Sequence, residues 1–392
     1  MTQLQSMMLN STTMLPVDEG HEQYCVQVNS TNASSVAVRS SAAFELQIQM
    51  CIAVSVILCF TGALTNGGLL IVVLKFESLR KGAGIFIAHL LLCQLILLAT
   101  VLPVGIHTVS LAAKSRANGG TQVHCEVCVF QQSAGMALFY LINFTEALLA
   151  LNRLIGVYYP TKYHIINRRI FHVVGLAFCW TLSLGFTVPP IFQLGALYQM
   201  SPLGNCVVTV VSQKSRAPLV LLLALYVYVP LIFTTVAAVL ISMRLISSHR
   251  AVAPTRKANS TPGNDDGSRS APPHNSTRQP NMSERQRRMS KMLITSFAVN
   301  FLCQLPQFIL AASGLIMRYP VALLWTTALL SFQFLVTPIT FLVRNEDYRN
   351  KARELLYRSI RRPHRGHPEQ RSQSRTSARQ RQSRSIKTQE SP

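Results

Sequence analysis

The chain has 392 residues, 49% of them hydrophobic and only 13% charged, yet its formal net charge is +22 at pH 7. A soluble domain of this size carries about a quarter charged residues, so the composition argues against an ordinary soluble fold and for a membrane protein. The basic excess fits either nucleic-acid binding or charge held on one side of a bilayer, and its position along the chain decides between them.

Residues 1–47 are polar, show no cleavable signal and carry sequons at Asn10, Asn29 and Asn32. They read as an extracellular tail open to glycosylation, with the first helix acting as its own insertion signal. A spanning helix needs about 20 mostly apolar residues. Seven stretches qualify: Ile48–Phe76, Ile85–Ala113, Val127–Tyr159, Phe171–Ala196, Leu219–Ser247, Met289–Met317 and Val321–Val343. The second, with LLLCQLILLATVLPV, the fourth and the fifth are the most continuous; the third and seventh are less apolar. Together they predict an all-α membrane bundle over 48–343.

Lys and Arg sort to alternate loops. Lys75, Arg80 and Lys81 follow the first span, and Arg153, Lys162, Arg168 and Arg169 follow the third. Arg250, Arg256, Lys257, Arg269, Arg285, Arg287 and Arg288 lie between the fifth and sixth, and the tail after Arg344 is denser still. The other side holds Arg39, Lys114, Arg116, Lys214, Arg216 and Arg318. This asymmetry predicts an outer N-terminus and a cytoplasmic tail, in the plasma membrane, with no nucleic-acid partner. Asn259, Asn275 and Asn281 are also sequons, but they fall on the side that the glycosylating enzyme does not reach.

Residues 248–288 are rich in Ser, Pro, Asn, Arg and Gly and read as a disordered third cytoplasmic loop. Residues 344–360 hold a segment from Glu346 with Tyr348, Leu355 and Leu356 on one side, expected to be a short amphipathic helix on the membrane surface. No Cys follows Cys303, which excludes a palmitate anchor there. The stretch 361–392 alternates Arg with Ser and Gln and reads as a disordered basic cytoplasmic tail that meets anionic lipid or accepts phosphate.

Marks inside the spans are more specific. The first helix carries TNGGLLIVVL with Asn66, the second Pro103, and the third opens at Cys128 and closes on Asn152-Arg153-Leu154 before VYYPTKYH. The fourth holds Trp180 and Pro190, the fifth Pro230, the sixth Cys303-Gln304-Leu305-Pro306 and the seventh TPITFLVRNEDYR with Pro338 and Phe341. A single proline or terminal Arg is ordinary in a membrane helix, but in this order, over 48–358, the set resembles the rhodopsin-like family of G-protein-coupled receptors. The Asn-Arg pair also resembles, faintly, the melatonin receptors.

The resemblance implies a cell-surface receptor that binds an extracellular ligand and activates heterotrimeric G proteins, with arrestin and receptor kinases as further partners of the Ser/Thr-containing tail. It implies no enzymatic activity, cofactor or metal. Coupling and activation would rest on Asn152, Arg153, Pro306, Pro338 and Phe341. A disulfide from Cys128 to Cys206 is implied, while Cys125, one turn away, either pairs with Cys25 or stays free with it. The sequence departs from the family at Gln94 (usually Asp), Asn152 (Asp), Gln304 (Trp), Thr337 (Asn), Phe341 (Tyr) and Ala238 (Tyr), positions that bear on activation and not on the fold.

Ligand-pocket positions implied by the family are Gln132, Gly135, Met136, Phe139, Tyr226, Gln307, Phe308 and Thr327. None is ionised. Gly135 stands where amine receptors hold an aspartate and Ser331 where opsins hold a lysine, which points away from amines and retinal and toward a peptide, a lipid or a neutral small molecule. Taken singly, Met136, Phe139 and Phe308 are ordinary packing residues. At the centre, Gln94, Asn143, Glu146, Asn300, Gln304, Gln333 and Thr337 are expected to form a polar seam that bonds internally, because lipid cannot satisfy it. Glu146 either keeps its proton within that seam or, unprotonated, binds sodium, and Gln94 and Ile142, which spoil the family's sodium site, favour the first; the plain alternative is that it turns sideways onto a neighbouring helix and is structural only. The base of the third helix predicts a weak lock, since Asn152 and Gln286 supply no charge to Arg153. A transporter or channel is the alternative, but no repeat is present and Glu146 is the single acid well inside a span. No cluster of His, Cys and acids suggests an enzyme, and His89 and His107 stand alone.

Overall fold

The structure is a computed structural model that describes residues 25–27, 42–118, 125–161, 163, 168–192, 194, 196–200, 203–204, 206–210, 221, 224–252, 284–312 and 319–360. Its helices are α1 (Ala42–Lys75), α2 (Gly84–Ile96, then a wide π turn at Leu97–Val101, then Leu102–Asn118), α3 (Cys125–Tyr158) and α4 (Arg169–Ile191). They continue with α5 (a π turn at Ala224–Tyr228, then Val229–Val252), α6 (Glu284–Ala312), α7 (Pro320–Arg344) and α8 (Glu346–Ile360). The first seven are long and apolar enough to cross a membrane. Their outward faces carry large apolar side chains in the open, such as Phe60, Phe178, Ile232 and Ile309, the pattern of a surface solvated by lipid.

The core runs along the inner faces of α1, α2, α3, α6 and α7, with Val73, Ile87, Leu141, Leu149, Leu293 and Phe334 buried in one cluster. Prolines inside the helices free backbone carbonyls that lipid cannot satisfy. Pro338 has no N–H for the carbonyl of Phe334, and the side chain of Asn66 supplies the missing donor: its Nδ2 donates to Phe334 O at 2.9 Å and to Gly62 O at 2.8 Å. The helix-one asparagine thus repairs helix seven. A second side chain that reaches across to a neighbouring helix is Ser183 of α4, whose Oγ donates to Ala137 O of α3 at 2.5 Å.

α8 begins where Asn345 breaks the chain at the end of α7. Its Oδ1 accepts the backbone N–H of Asp347 at 3.0 Å, and Glu346 and Asp347 occupy the first turn, where the helix dipole favours acids. Tyr348 and Leu355 pack toward the core. Leu356, expected on the same side, is exposed, as is Tyr357, while Tyr348 and Leu355 are the pair that faces the core.

Several boundaries differ from the sequence reading. α1 starts inside the expected tail, at Ala42. α4 stops at Ile191 after Pro189 and Pro190, whose missing N–H groups weaken its last turn, and Ala196 opens a strand instead of closing the span. α5 reaches Val252 and α6 begins at Glu284, so the two edges of the expected unstructured loop 248–288 are helical, while 253–283 lie outside the described residues. The basic tail 361–392 and the sequons Asn10, Asn29 and Asn32 also lie outside them.

A three-stranded sheet, absent from the sequence reading, closes the Cys128 end of the bundle, called the outer end below, with the Arg153 end called the inner one. β1 (Cys25–Gln27) runs parallel to β2 (Ala196–Met200), with Cys25 opposite Tyr198, and β2 runs antiparallel to β3 (Cys206–Val210), with Met200 opposite Cys206. All three strands lie against α3.

Candidate functional site

At mid-depth the polar residues converge as their helical spacing requires. Gln94, Asn143, Glu146, Asn300, Gln304, Gln333 and Thr337 are all buried. Asn300 Nδ2 of α6 donates to Glu146 Oε2 of α3. Gln304 Nε2 donates to Asn143 Oδ1 at 3.0 Å and to Asn300 Oδ1 at 2.5 Å. These four side chains join α3 to α6 by hydrogen bonds alone. Gln94 and Gln333 do not join that chain: both amide atoms of each are enclosed without a protein partner, as are Glu146 Oε1, Asn143 Nδ2 and Gln304 Oε1. Thr337 Oγ1 turns back to Gln333 O of its own helix at 3.0 Å. The expected seam is therefore bonded on its α3–α6 side and not on its α2–α7 side.

At the inner end of α3, Arg153 and Asn152 are both buried. Asn152 Oδ1 accepts a hydrogen bond from Tyr163 Oη at 3.2 Å, so a tyrosine beyond the end of α3 engages the amide that stands beside the arginine in sequence. The base of α6 is tied elsewhere. Arg288 forms an ion pair with Glu346 at the start of α8, and the buried Asn345 donates from Nδ2 to Met289 Sδ at 3.2 Å. The side chain of Gln286, the expected lock position, lies outside the described residues. Pro306 and Pro338 sit inside α6 and α7, and Phe341, fully buried, meets Tyr348 of α8 with ring centroids 6.3 Å apart. Neither Tyr163 nor Glu346 was singled out from sequence, because each works across loops that helical periodicity does not connect.

In the outer half, Met136, Phe139, Tyr226 and Phe308 come together in one aromatic cluster, joined by Tyr140, Phe144, Phe186 and Tyr228. Tyr140 is packed by Phe186 at 4.9 Å and Tyr226 at 5.9 Å, and Tyr228 Oη donates to Phe308 O at 3.4 Å. The other expected positions do not join the cluster. Gly135 faces α2, where a Cβ would sit 3.4 Å from Val101. Thr327 Oγ1 returns to Leu323 O of its own helix at 2.9 Å. Gln132 is partly exposed, and Gln307 Oε1 is enclosed without a partner. Tyr140, Phe144 and Phe186 were missed because nothing in a uniformly apolar stretch distinguishes an aromatic facing the pocket from one facing its neighbour.

Above this cluster the disulfide Cys128–Cys206 fastens β3 to the outer end of α3. Tyr198 of β2 is fully buried and donates from Oη to Thr187 O of α4 at 3.3 Å; burial pushes its hydroxyl up to about 12. The side chains of Cys25 and Cys125 lie outside the described residues, and with them the alternative pairing.

Residues 65–342 match the family described as 7 transmembrane receptor (rhodopsin family). A comparison with curated proteins gives no match. Among solved structures the chain is similar to squid rhodopsin, with 16% sequence identity and a TM-score of 0.60, covering 81% of this chain and 87% of that one. The likeness in fold, the disulfide and a family match over more than half of the chain agree: this protein belongs to the rhodopsin family of seven-transmembrane receptors.

Proposed function

We propose that this protein is a plasma-membrane receptor, N-terminus outside, that couples a peptide, lipid or neutral small ligand to heterotrimeric G proteins. The observation that carries the reading is the placement of Arg153, buried at the inner end of α3 directly below an α3–α6 hydrogen-bonded core. A ligand that separates α6 from α3 in the outer half disturbs those bonds and frees the inner ends to admit a partner. The Lys and Arg excess of the inner loops supports the orientation, and the disulfide fits the oxidising face. In this reading the tail 361–392 receives receptor kinases and arrestin and contacts anionic lipid, and Asn10, Asn29 and Asn32 carry glycans.

Nucleotide exchange on a panel of purified G proteins, with receptor in lipid nanodiscs, tests it. The wild type is expected to accelerate exchange on at least one subtype without added ligand, and Arg153→Ala to remove the acceleration at equal receptor amount. Acceleration by neither form, together with solute flux through receptor-containing vesicles, overturns the reading in favour of a transporter or channel.

A further inference from the structure

Asn345, between α7 and α8, is 2% exposed, and its side-chain amide is engaged at both ends. Oδ1 accepts the backbone N–H of Asp347 at 3.0 Å, the bond that caps α8. That bond fixes the plane of the amide and turns Nδ2 toward α6. There it donates to Met289 Sδ at 3.2 Å and lies 3.9 Å from Met292 Sδ. A thioether sulfur is a weak acceptor, so a buried amide donor meets partners that satisfy it poorly.

The two methionines differ in access. Met292 is fully buried. Met289, three residues nearer the start of α6, is partly buried at the edge of the core. It stands beside Arg288, whose side chain is 43% exposed, and close to the exposed Lys291, so its surroundings border water. A small polar oxidant therefore meets the Met289 sulfur before that of Met292. The start of α6 also depends on outside contacts. Its first two turns carry Arg285, Arg287 and Arg288, which the positive end of the helix dipole disfavours, and Glu284 to offset them. Asn345 on Met289 and Glu346 on Arg288 are the contacts that hold this end to α8.

We propose that Met289 is a reversible oxidation site whose sulfoxide tightens the hold of the α7–α8 junction on the base of α6. The oxidant is a peroxide. Its O–O bond breaks as one oxygen bonds to Sδ; the other leaves as water after taking up a proton, and the two electrons lost by sulfur reduce the peroxide. The sulfoxide oxygen is a strong acceptor in place of a weak one, and Asn345 Nδ2 already points toward it. Met289 is flexible and lies at the edge of the packing, so its side chain can turn to make the bond. A thiol-dependent sulfoxide reductase restores the thioether. The inference rests on the receptor reading for its effect on signalling, and not for the oxidation or the tightening.

The test uses the full chain in lipid nanodiscs and dilute hydrogen peroxide, with mass mapping of oxidised peptides over time. Met289 is expected to gain oxygen well before Met292. Amide hydrogen–deuterium exchange over residues 284–291 is then expected to slow about fivefold, and to recover after treatment with sulfoxide reductases and thiol. In Met289→Leu, peroxide should leave the exchange of this segment unchanged, although the exposed Met50 and Met243 are still oxidised. Asn345→Asp keeps an acceptor to cap α8 and removes the donor, so the sulfoxide should form without slowing exchange; Asn345→Ser serves should the aspartate prevent insertion. Oxidation of Met292 as fast as Met289, unchanged or faster exchange in the oxidised wild type, or slowing that persists in Met289→Leu would overturn the proposal. Ligand-free nucleotide exchange on G proteins is expected to fall about fivefold in the same oxidised samples. Slowed α6 exchange in a chain that activates no G protein in either form sinks the receptor reading alone, and active coupling with an α6 indifferent to peroxide sinks this proposal alone.

Discussion

Glu146→Gln isolates the charge state of the polar centre. The side chain is 2% exposed, and Asn300 donates to its Oε2. The nearest cation along α3 is Arg153, seven residues or about 10 Å further along the helix. An unpaired carboxylate there would cost several kcal/mol after relaxation, so the acid is expected to keep its proton. Glutamine then preserves both the shape and the acceptor for Asn300, and the change in stability should stay within about 1 kcal/mol. Glu146→Leu instead leaves the Asn300 amide with an unmatched donor, at about 1–3 kcal/mol. The assay is the thermal midpoint of receptor in nanodiscs, in sodium chloride and in choline chloride at equal ionic strength. The expected result is a small shift for glutamine, a clear drop for leucine and no difference between the salts. Wild-type stabilisation by sodium chloride alone, abolished in Glu146→Gln, refutes the neutral acid and establishes a sodium site. A gain of several kcal/mol in Glu146→Gln also refutes it, since only an uncompensated charge would be relieved that way.

Three further outcomes follow from the inner and outer ends. Asn152→Asp gives Tyr163 and Arg153 a charged acceptor, roughly doubling the strength of the hydrogen bond at 3.2 Å, and should lower ligand-free nucleotide exchange at equal receptor amount. Glu346→Arg breaks the ion pair that holds the base of α6 to α8. As the pair is half exposed it is worth at most about 1 kcal/mol, so exchange should rise by up to about fivefold, and Arg288→Glu in the same chain should reverse the rise. Cys206→Ser opens a disulfide spanning a sequence separation of 78, worth up to about 4.5 kcal/mol by chain entropy. It should lower the thermal midpoint; an unchanged midpoint would show that the hairpin is held by its packing alone.

Much of the bundle was legible because its causes are local. Seven apolar stretches and the i, i+4 spacing of Asn300 and Gln304 need no knowledge of neighbours beyond one helix. The pairing of Cys128 with Cys206 was accessible only through the family. The sheet was not legible, since its strands pair residues from the N-terminal region with the second outer loop, and its turn depends on Gly204 meeting α2. Nor were Tyr163 on Asn152 and Arg288 on Glu346, contacts between residues whose proximity arises only after the helices pack. At the seam, residue types predicted burial but not which amides would find partners. Gln304 and Gln94 look alike in sequence, yet only Gln304 reaches a neighbouring helix.

The π turns at Leu97–Val101 and Ala224–Tyr228 each lie just before a proline, Pro103 and Pro230. Such a turn accommodates one residue more than an α turn, and one residue in a helix corresponds to a rotation of about 100°. Everything on the outer side of it is therefore re-aimed: on α2 this is the segment carrying Thr108 and Val109, which meets the hairpin at Gly204 and Leu203. A single-codon deletion within Leu97–Val101 would swing that segment as a unit while leaving every side chain in it unaltered. Receptors built this way can diversify what their outer surface presents by gaining or losing one residue, and positions matched by counting through the turn correspond in number without corresponding in direction.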